Sequence, residues 1–384
     1  MATALVEEQS KRATLIRFKG DDRELLWLVP LFAMFLILVV TAEILSYLNG
    51  TSAIGMIAGY GGKALRLLPF VASIGILCQF AIAVARDYRT AVDQVIDQWR
   101  AALLNPYLFA ARVAPIIMMP FFFASFSVLK MLMPRYVPFW LDEPFARMDQ
   151  FLFFGYHPWQ LTHAVFISPE STITLDLFYS VWVILLSVAI AGFALFAPRQ
   201  ERARFFLSFG GAWFFLGFIG AWLGSSAGPC FLANLNSPLA PEFAGLMERL
   251  HAASNSMDTV AQAVEWQEML WNGYENQTYR FGMGISAMPS LHNAIAVLYA
   301  FMAFRFGKLI GWVATAYAVI IFIGSIHLGW HYAVDGIFSA IGMWGIWKLV
   351  NWWCVASGYD AAIPREGSAL DSTVSMDSRK GSIS

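Results

Sequence analysis

Apolar residues along this chain neither alternate nor keep to one helix face; they come as long, nearly unbroken runs separated by polar segments. A helix needs roughly 20 consecutive apolar residues to cross the hydrocarbon core of a bilayer. Eight runs approach that length: Leu26–Leu48, Leu67–Val84, Ala110–Met133, Ile173–Phe196, Phe205–Gly224, Pro289–Phe304, Leu309–Ser325 and Tyr332–Trp353, the sixth and seventh being short. The pattern predicts an all-α polytopic membrane helix bundle of about eight spans, without an internal repeat. Two connections are long, from about Pro134 to Thr172 and from about Ala227 to Met288. Both mix apolar and polar residues in the manner of helices lying at a membrane surface. The stretch Pro241–Trp271 has helical periodicity and predicts a helical cap on the outer face. Gly220 and Gly224 form a GxxxG, read as close helix packing. The Ser-rich tail from about Ser357 reads as disordered.

Composition agrees with the pattern. The chain is 58% hydrophobic and 13% charged, where soluble domains carry about a quarter charged residues. A net charge of −1 gives no basic surface for nucleic acid. Cys78, Cys230 and Cys354 have neither disulfide nor zinc-site spacing. About 25 mixed-charge residues precede the first run, unlike a cleavable signal peptide, so the first span reads as an uncleaved anchor.

Lysine and arginine decide orientation in such chains. They gather in the N-terminal segment (Lys11 to Arg23), between the second and third runs (Arg86, Arg89, Arg100, Arg112), between the fourth and fifth (Arg199, Arg202, Arg204), between the sixth and seventh (Arg305, Lys308) and in the tail. With eight spans these segments share one side, which places both termini in the cytoplasm and the two long connections outside. The chain divides into residues 1–110, a cytoplasmic segment with two accessory spans, residues 111–355, a core of six spans, and the tail 356–384.

Against this apolar background a few polar residues stand out. His331 and Asp335, in GWHYAVDG, lie four apart and so share a helix face. A carboxylate there can accept the imidazole Nδ1–H, fixing the tautomer and freeing Nε2 as a nucleophile or base. His292, in AMPSLHNA with Ser290, supplies a second imidazole suited to acid–base work. Lys130, in KMLMPRYVPF with Arg135, is a long-armed cation able to hold phosphate. All of these fall at the outer surface under the topology above. Ionisable residues at membrane depth are costly and usually functional. His157, His163 and His251 read as interfacial side chains, and Arg135 and Lys130 also fit headgroup anchors. A metal site built from His292, His327, His331 and Asp335 is the rival functional reading.

On these residues the sequence resembles the type 2 phosphatidic acid phosphatase superfamily, whose motifs are KxxxxxxRP, PSGH and SRxxxxxHxxxD. The second motif reads Pro289-Ser290-Leu291-His292, the third keeps His331 and Asp335 but has Gly324-Ser325 for Ser-Arg, and the first keeps Lys130 and Pro138 with Val137 for arginine. These departures resemble the inositol phosphorylceramide synthase-like (inositolphosphotransferase) branch, and LKMLMPRYVPFWLDEPFARMDQFLFFGYHPWQL resembles its bacterial-type members. The likeness runs from about Phe121 to Trp353. It implies a six-helix catalytic core. His331 would attack phosphorus to form a phosphohistidine, Asp335 would orient it, and His292 would serve as acid and then base. Lys130 and Ser290 would hold phosphate oxygens, with Arg135, Arg147, Arg280 or His327 as stand-ins for the missing arginines. No metal or cofactor is implied.

The expected function is an integral membrane phosphotransferase moving a phospho-head group between lipid-linked donor and acceptor at the outer face of the plasma (bacterial inner) membrane. Hydrolysis of a lipid phosphate monoester or diphosphate, and a non-catalytic lipid-binding or transport protein on the same fold, are the alternatives. The oligomeric state and the identities of donor and acceptor are not set by the sequence.

Overall fold

The computed structural model describes residues 22–66, 68–256, 261–277 and 282–360. The N-terminal residues, Arg280 and nearly all of the Ser-rich tail lie outside the described residues. Among the described residues every regular element is helical. In chain order they are α1 (Leu28–Leu48), α2 (Ala53–Leu65), α3 (Leu68–Arg86), α4 (Ala91–Leu104), α5 (Pro106–Tyr136), α6 (Asp142–Leu152), α7 (Pro158–Val165) and α8 (Pro169–Phe196). Then follow α9, running unbroken from Arg199 to Leu223, α10 (Ala240–Ser256), α11 (Gln262–Glu275), α12 (Leu291–Phe306), α13 (Lys308–His327) and α14 (Ala333–Ala356).

Six helices, α1, α5, α8, α9, α13 and α14, are long and apolar enough to cross a membrane. The other two predicted spans are α3, with its apolar stretch Gly75–Ala85, and α12, at 16 residues. The chain is an integral membrane protein built as an all-α bundle. Its centre is α5 and α9, whose apolar windows are 61% buried against 17% for α1. The outward faces of α1, α8 and α13 carry exposed Phe32, Leu36, Val183, Ile184, Ile310 and Val313, the surface a lipid-facing helix presents.

Local chemistry sets the helix ends. Asn105 caps α5 by accepting from the Tyr107 and Leu108 amides at 3.0 and 3.1 Å, with Pro106 in the first turn. The helix stops at Val137, which is extended because Pro138 disfavours helical backbone before it. Ser168 and Pro169 start α8 the same way. A π-helical stretch, Ala212–Gly220, widens α9 in mid-course. Gly307 alone joins α12 to α13, which pack closely as an antiparallel pair. The predicted packing role of Gly220 and Gly224 takes a specific form: a Cβ on either would meet Pro289 or Met288 at about 3.1 Å. The glycines therefore let the segment entering α12 lie directly on α9.

The bundle has two distinct ends. The C-terminal ends of α5, α9 and α13 and the N-terminal ends of α8, α12 and α14 meet at one of them. Both long connections lie there as well, carrying α6 and α7 in one and α10 and α11 in the other. α6 packs on α14, α7 on α13, and α10 and α11 on α8, so they form the helical cap expected from the sequence. α2 and α4 lie outside the expected spans; they are short helices packed on α5.

Candidate functional site

The site is assembled around one irregular segment, Ser225 to Cys230, which follows α9. Ser226 holds the approach to α12: its carbonyl accepts the Ala287 amide at 2.9 Å and its hydroxyl accepts the Met288 amide at 3.1 Å. Four residues on, the same segment holds the approach to α14, the Cys230 amide donating to the Gly329 carbonyl at 3.0 Å. Gly228 lies between, at φ +97°, and a Cβ there would sit 2.6 Å from the Trp330 carbonyl oxygen. Only glycine gives both the backbone angle and the clearance. The histidine-bearing segments are thus hung on a common strap.

His331 is fixed from both sides. The Ser325 carbonyl accepts the Trp330 and His331 amides, each at 3.0 Å, closing the turn after α13. Asp335, fully buried, accepts from the Tyr332 amide at 3.1 Å and faces His331 Nδ1 at 3.3 Å, both through Oδ2. The pairing is present, but not as the expected shared helix face: His331 precedes α14, whose N-cap Tyr332 is extended, and Asp335 in the first turn reaches back to it. His331 Nε2 is left with no hydrogen bond to any described residue. His292 lies in the first turn of α12. Its ring stacks on Tyr179 at 4.5 Å and lies tilted against Trp182 at 4.1 Å, both from α8. The His331 imidazole and the Lys130 ammonium are close enough to act on the charge of the His292 ring. Lys130, on α5, is pressed from outside by Gly284, whose Cβ would meet the Lys130 backbone and Cγ at 2.9 Å. Lys130, His292, His331 and Asp335 therefore converge at one end of the bundle.

The remaining expected residues are placed differently. Ser290 is fully buried as the N-cap of α12, its hydroxyl accepting from the Asn293 amide at 3.4 Å and the Asn293 side chain at 3.0 Å. The Asn293 side chain also donates to Ser325 Oγ at 3.2 Å, tying the two histidine segments together. Arg135 is exposed and bonds Asn49 and Gln277 at the edge of a cavity of about 130 Å³ lined by Met131, Tyr274, Met283 and Gly284, a lining that includes neither His292 nor His331. Five positions on a helix turn a side chain well away from its starting face, which separates Arg135 from Lys130. Arg147 is paired with Glu242 at 2.8 Å, and that pairing holds the Glu242 carboxyl below its ordinary range. His327 bonds Thr172 at 2.9 Å and stacks on His163 at 4.0 Å. His157 and His163 are buried within the protein, His163 bonding the His327 carbonyl at 2.9 Å. Burial pushes the His163 imidazole below its ordinary value. Cys230 and Cys354 are buried free thiols. Among the described residues no three His, Cys, Asp or Glu side chains are grouped as metal ligands.

Two carboxylates absent from the sequence reading support the site. Asp142 and Asp149, both on α6, are buried. Asp142 accepts the Ala227 and Gly228 amides at 2.9 Å each and the Tyr332 hydroxyl at 3.0 Å. Asp149 accepts the Ala333 and Val334 amides at 2.8 and 2.9 Å. Burial raises both carboxyls, Asp149 to about 7, against the opposing pull of those N–H groups. Their seven-residue spacing was the available signal.

The fold and this constellation define a polytopic helical membrane protein with a two-histidine, carboxylate-supported site at one end. The family model described as the PAP2 superfamily matches residues 143–349, more than half of the chain, which therefore belongs to that superfamily. Ser290, His292, His331 and Asp335 lie inside the match, and Lys130 and Arg135 precede it. Membership supports a phosphatase- or phosphotransferase-type activity. No curated protein and no solved structure matched the chain.

Proposed function

We propose that the protein is a lipid phosphotransferase that moves a phospho-head group from a lipid-linked donor to an acceptor through a phosphohistidine on His331. The observation that carries this reading is the His331 imidazole, tethered at Nδ1 by Asp335 and without a hydrogen bond at Nε2 among the described residues, at the same end of the bundle as His292 and Lys130. His331 Nε2 attacks phosphorus, and His292 protonates the departing oxygen. His292 then takes a proton from the acceptor hydroxyl, which displaces phosphorus from nitrogen. Splitting one displacement into two lowers each barrier. Lys130 and the amides of the α12 N-terminus, held in place by the Ser290 cap, stabilise the phosphate oxygens. Arg135 serves this reading at the rim, facing headgroups rather than the transferring phosphate.

Transfer is favoured over hydrolysis by charge. The two motif arginines are replaced by Val137 and Ser325, while Arg147 is occupied by Glu242 and His327 by Thr172 and His163. A phosphodiester carries one charge fewer than a monoester, and so suits a site with few cations. This agrees with the likeness to the inositolphosphotransferase branch. The deciding measurement is product identity by lipid mass spectrometry and phosphate release. A new phosphodiester lipid is expected; free inorganic phosphate as the sole product would establish the hydrolase. Activity should survive chelators, and loss on chelation with recovery on adding zinc would favour the metal reading.

The same reading puts the site at the outer face, because Arg199, Arg202, Arg204, Arg305 and Lys308 gather at the opposite end. A cysteine replacing the exposed Asn234 should react with an impermeant thiol reagent from outside, and one replacing the exposed Lys308 should not. The reverse pattern would overturn the orientation.

A further inference from the structure

The segment DEPFARMDQFLFFGYHPWQL, between the lysine helix and the histidine motifs, has no part in the chemistry above. Its two buried aspartates are seven residues apart, so they project from one face of α6, two turns along. That face meets the start of α14. A helix begins with amide groups that need acceptors, usually supplied by the residue just before it. Tyr332 holds that position in α14 but sends its hydroxyl to Asp142. The Ala333 and Val334 amides are taken instead by the two oxygens of Asp149, from a helix 184 residues away in sequence.

We infer that Asp149, with Asp142 as a second arm, is a positioning residue for the reaction, setting the placement of His331 by capping its helix from α6. This rests on the reading of His331 as the nucleophile. Asp335 cannot do the task alone. Its Oδ2 is shared by the Tyr332 amide and the His331 ring, both within four residues of it, so it orients His331 relative to the start of α14 but does not tie that turn to α6 or to the strap. The bidentate Asp149 contact supplies the tie to α6. Asp142 ties the same turn, through Tyr332, to Ala227 and Gly228 on the strap that also carries the approach to His292. α6 thereby sets the separation of the two imidazoles.

The test uses full-length protein in nanodiscs and compares wild type, Asp149→Asn, Asp149→Glu and Tyr332→Phe, with rates normalised to folded protein. Asparagine keeps the size of Asp149 but turns an NH2 toward one helix amide. A displacement near 1 Å at a reacting atom costs about 100-fold in rate. Asp149→Asn should lower kcat and labelled phosphohistidine formation by about that factor with KM nearly unchanged, Asp149→Glu should recover part of it, and Tyr332→Phe should lose about 10-fold. A folded Asp149→Asn protein with wild-type kcat, or one altered only in KM, would overturn the inference. If Asp149→Asn does not fold, Tyr332→Phe decides, and an unchanged kcat there overturns it equally. Absence of phosphohistidine in the wild type would instead defeat the nucleophile assignment.

Discussion

The two ends of the bundle treat charge in opposite ways. At the end where α9 begins, buried arginines are matched by carboxylates. Arg202 bonds Glu24 at 2.9 Å and the Ala194 and Ala197 carbonyls at 3.0 Å, and Glu24 also takes Arg199 at 3.1 Å. Arg204 pairs with Asp360 at 2.6 Å, and Arg305 with Glu201 at 2.7 Å. At the other end Arg147 is matched by Glu242 at 2.8 Å, but among the described residues Lys130, His292 and His331 have no carboxylate partner apart from Asp335. Matched charges lock helices and leave nothing over. A lysine and two imidazoles brought together in this way are what the proposed phosphate chemistry requires.

The contrast breaks first at His331. His331→Ala should abolish the phosphohistidine and lower the rate by about 10⁴-fold or more, and adding Asp335→Asn should make it hardly worse, since such groups act as a unit. Near-normal activity in well-expressed His331→Ala would leave the superfamily likeness describing the fold alone. Lys130→Ala should lose about 10²- to 10³-fold in kcat with an unchanged unfolding midpoint. At the other end the readouts exchange places. Glu24→Gln strands Arg202 and should cost about 3–5 kcal/mol in unfolding measurements, while the rate per folded molecule stays the same. A smaller effect follows from Asp149. Its carboxyl is raised from 3.8 to about 7 by burial, so the folded chain holds that proton more tightly than the unfolded one. The associated stability is fully present below pH 3.8 and is lost as pH rises through about 7. Asp149→Asn should flatten that part of the stability–pH curve, by at most about 4 kcal/mol. The smallest change is Arg305→Ala: this pair is partly exposed, with the arginine side chain 43% accessible, and should contribute less than about 1 kcal/mol.

The sequence was legible where a property repeats along the chain. Apolar runs announced α1, α5, α8, α9, α13 and α14, and periodicity announced α10 and α11. α2 and α4 escaped because they are short helices whose apolar residues form no run of spanning length. In the site, the His331–Asp335 pairing was legible because the two residues are only four apart, although His331 lies just ahead of α14 and not on its face. Asp149 was not, since its partners are remote in sequence and are backbone amides, which carry no residue signature. Arg135 was drawn toward the site by its nearness to Lys130 in sequence, but helical rotation separates them. The packing of Tyr179 and Trp182 on His292 depends on the approach of α8 to α12, and aromatic residues are too common in this chain to mark it.

The position of α5 limits how the molecule can be divided. α1, α2 and α4 all pack on it, and its last turns carry Lys130. The expected boundary at residues 110 and 111 falls inside this helix, which starts at Pro106. A smaller portable enzyme would have to be cut ahead of the Asn105 cap, and it would then expose the apolar flank of α5 that α1, α2 and α4 normally cover. The N-terminal helices thus form a bearing for the helix that carries Lys130, and a small molecule wedged between α1 and α5 would shift that lysine from a distance.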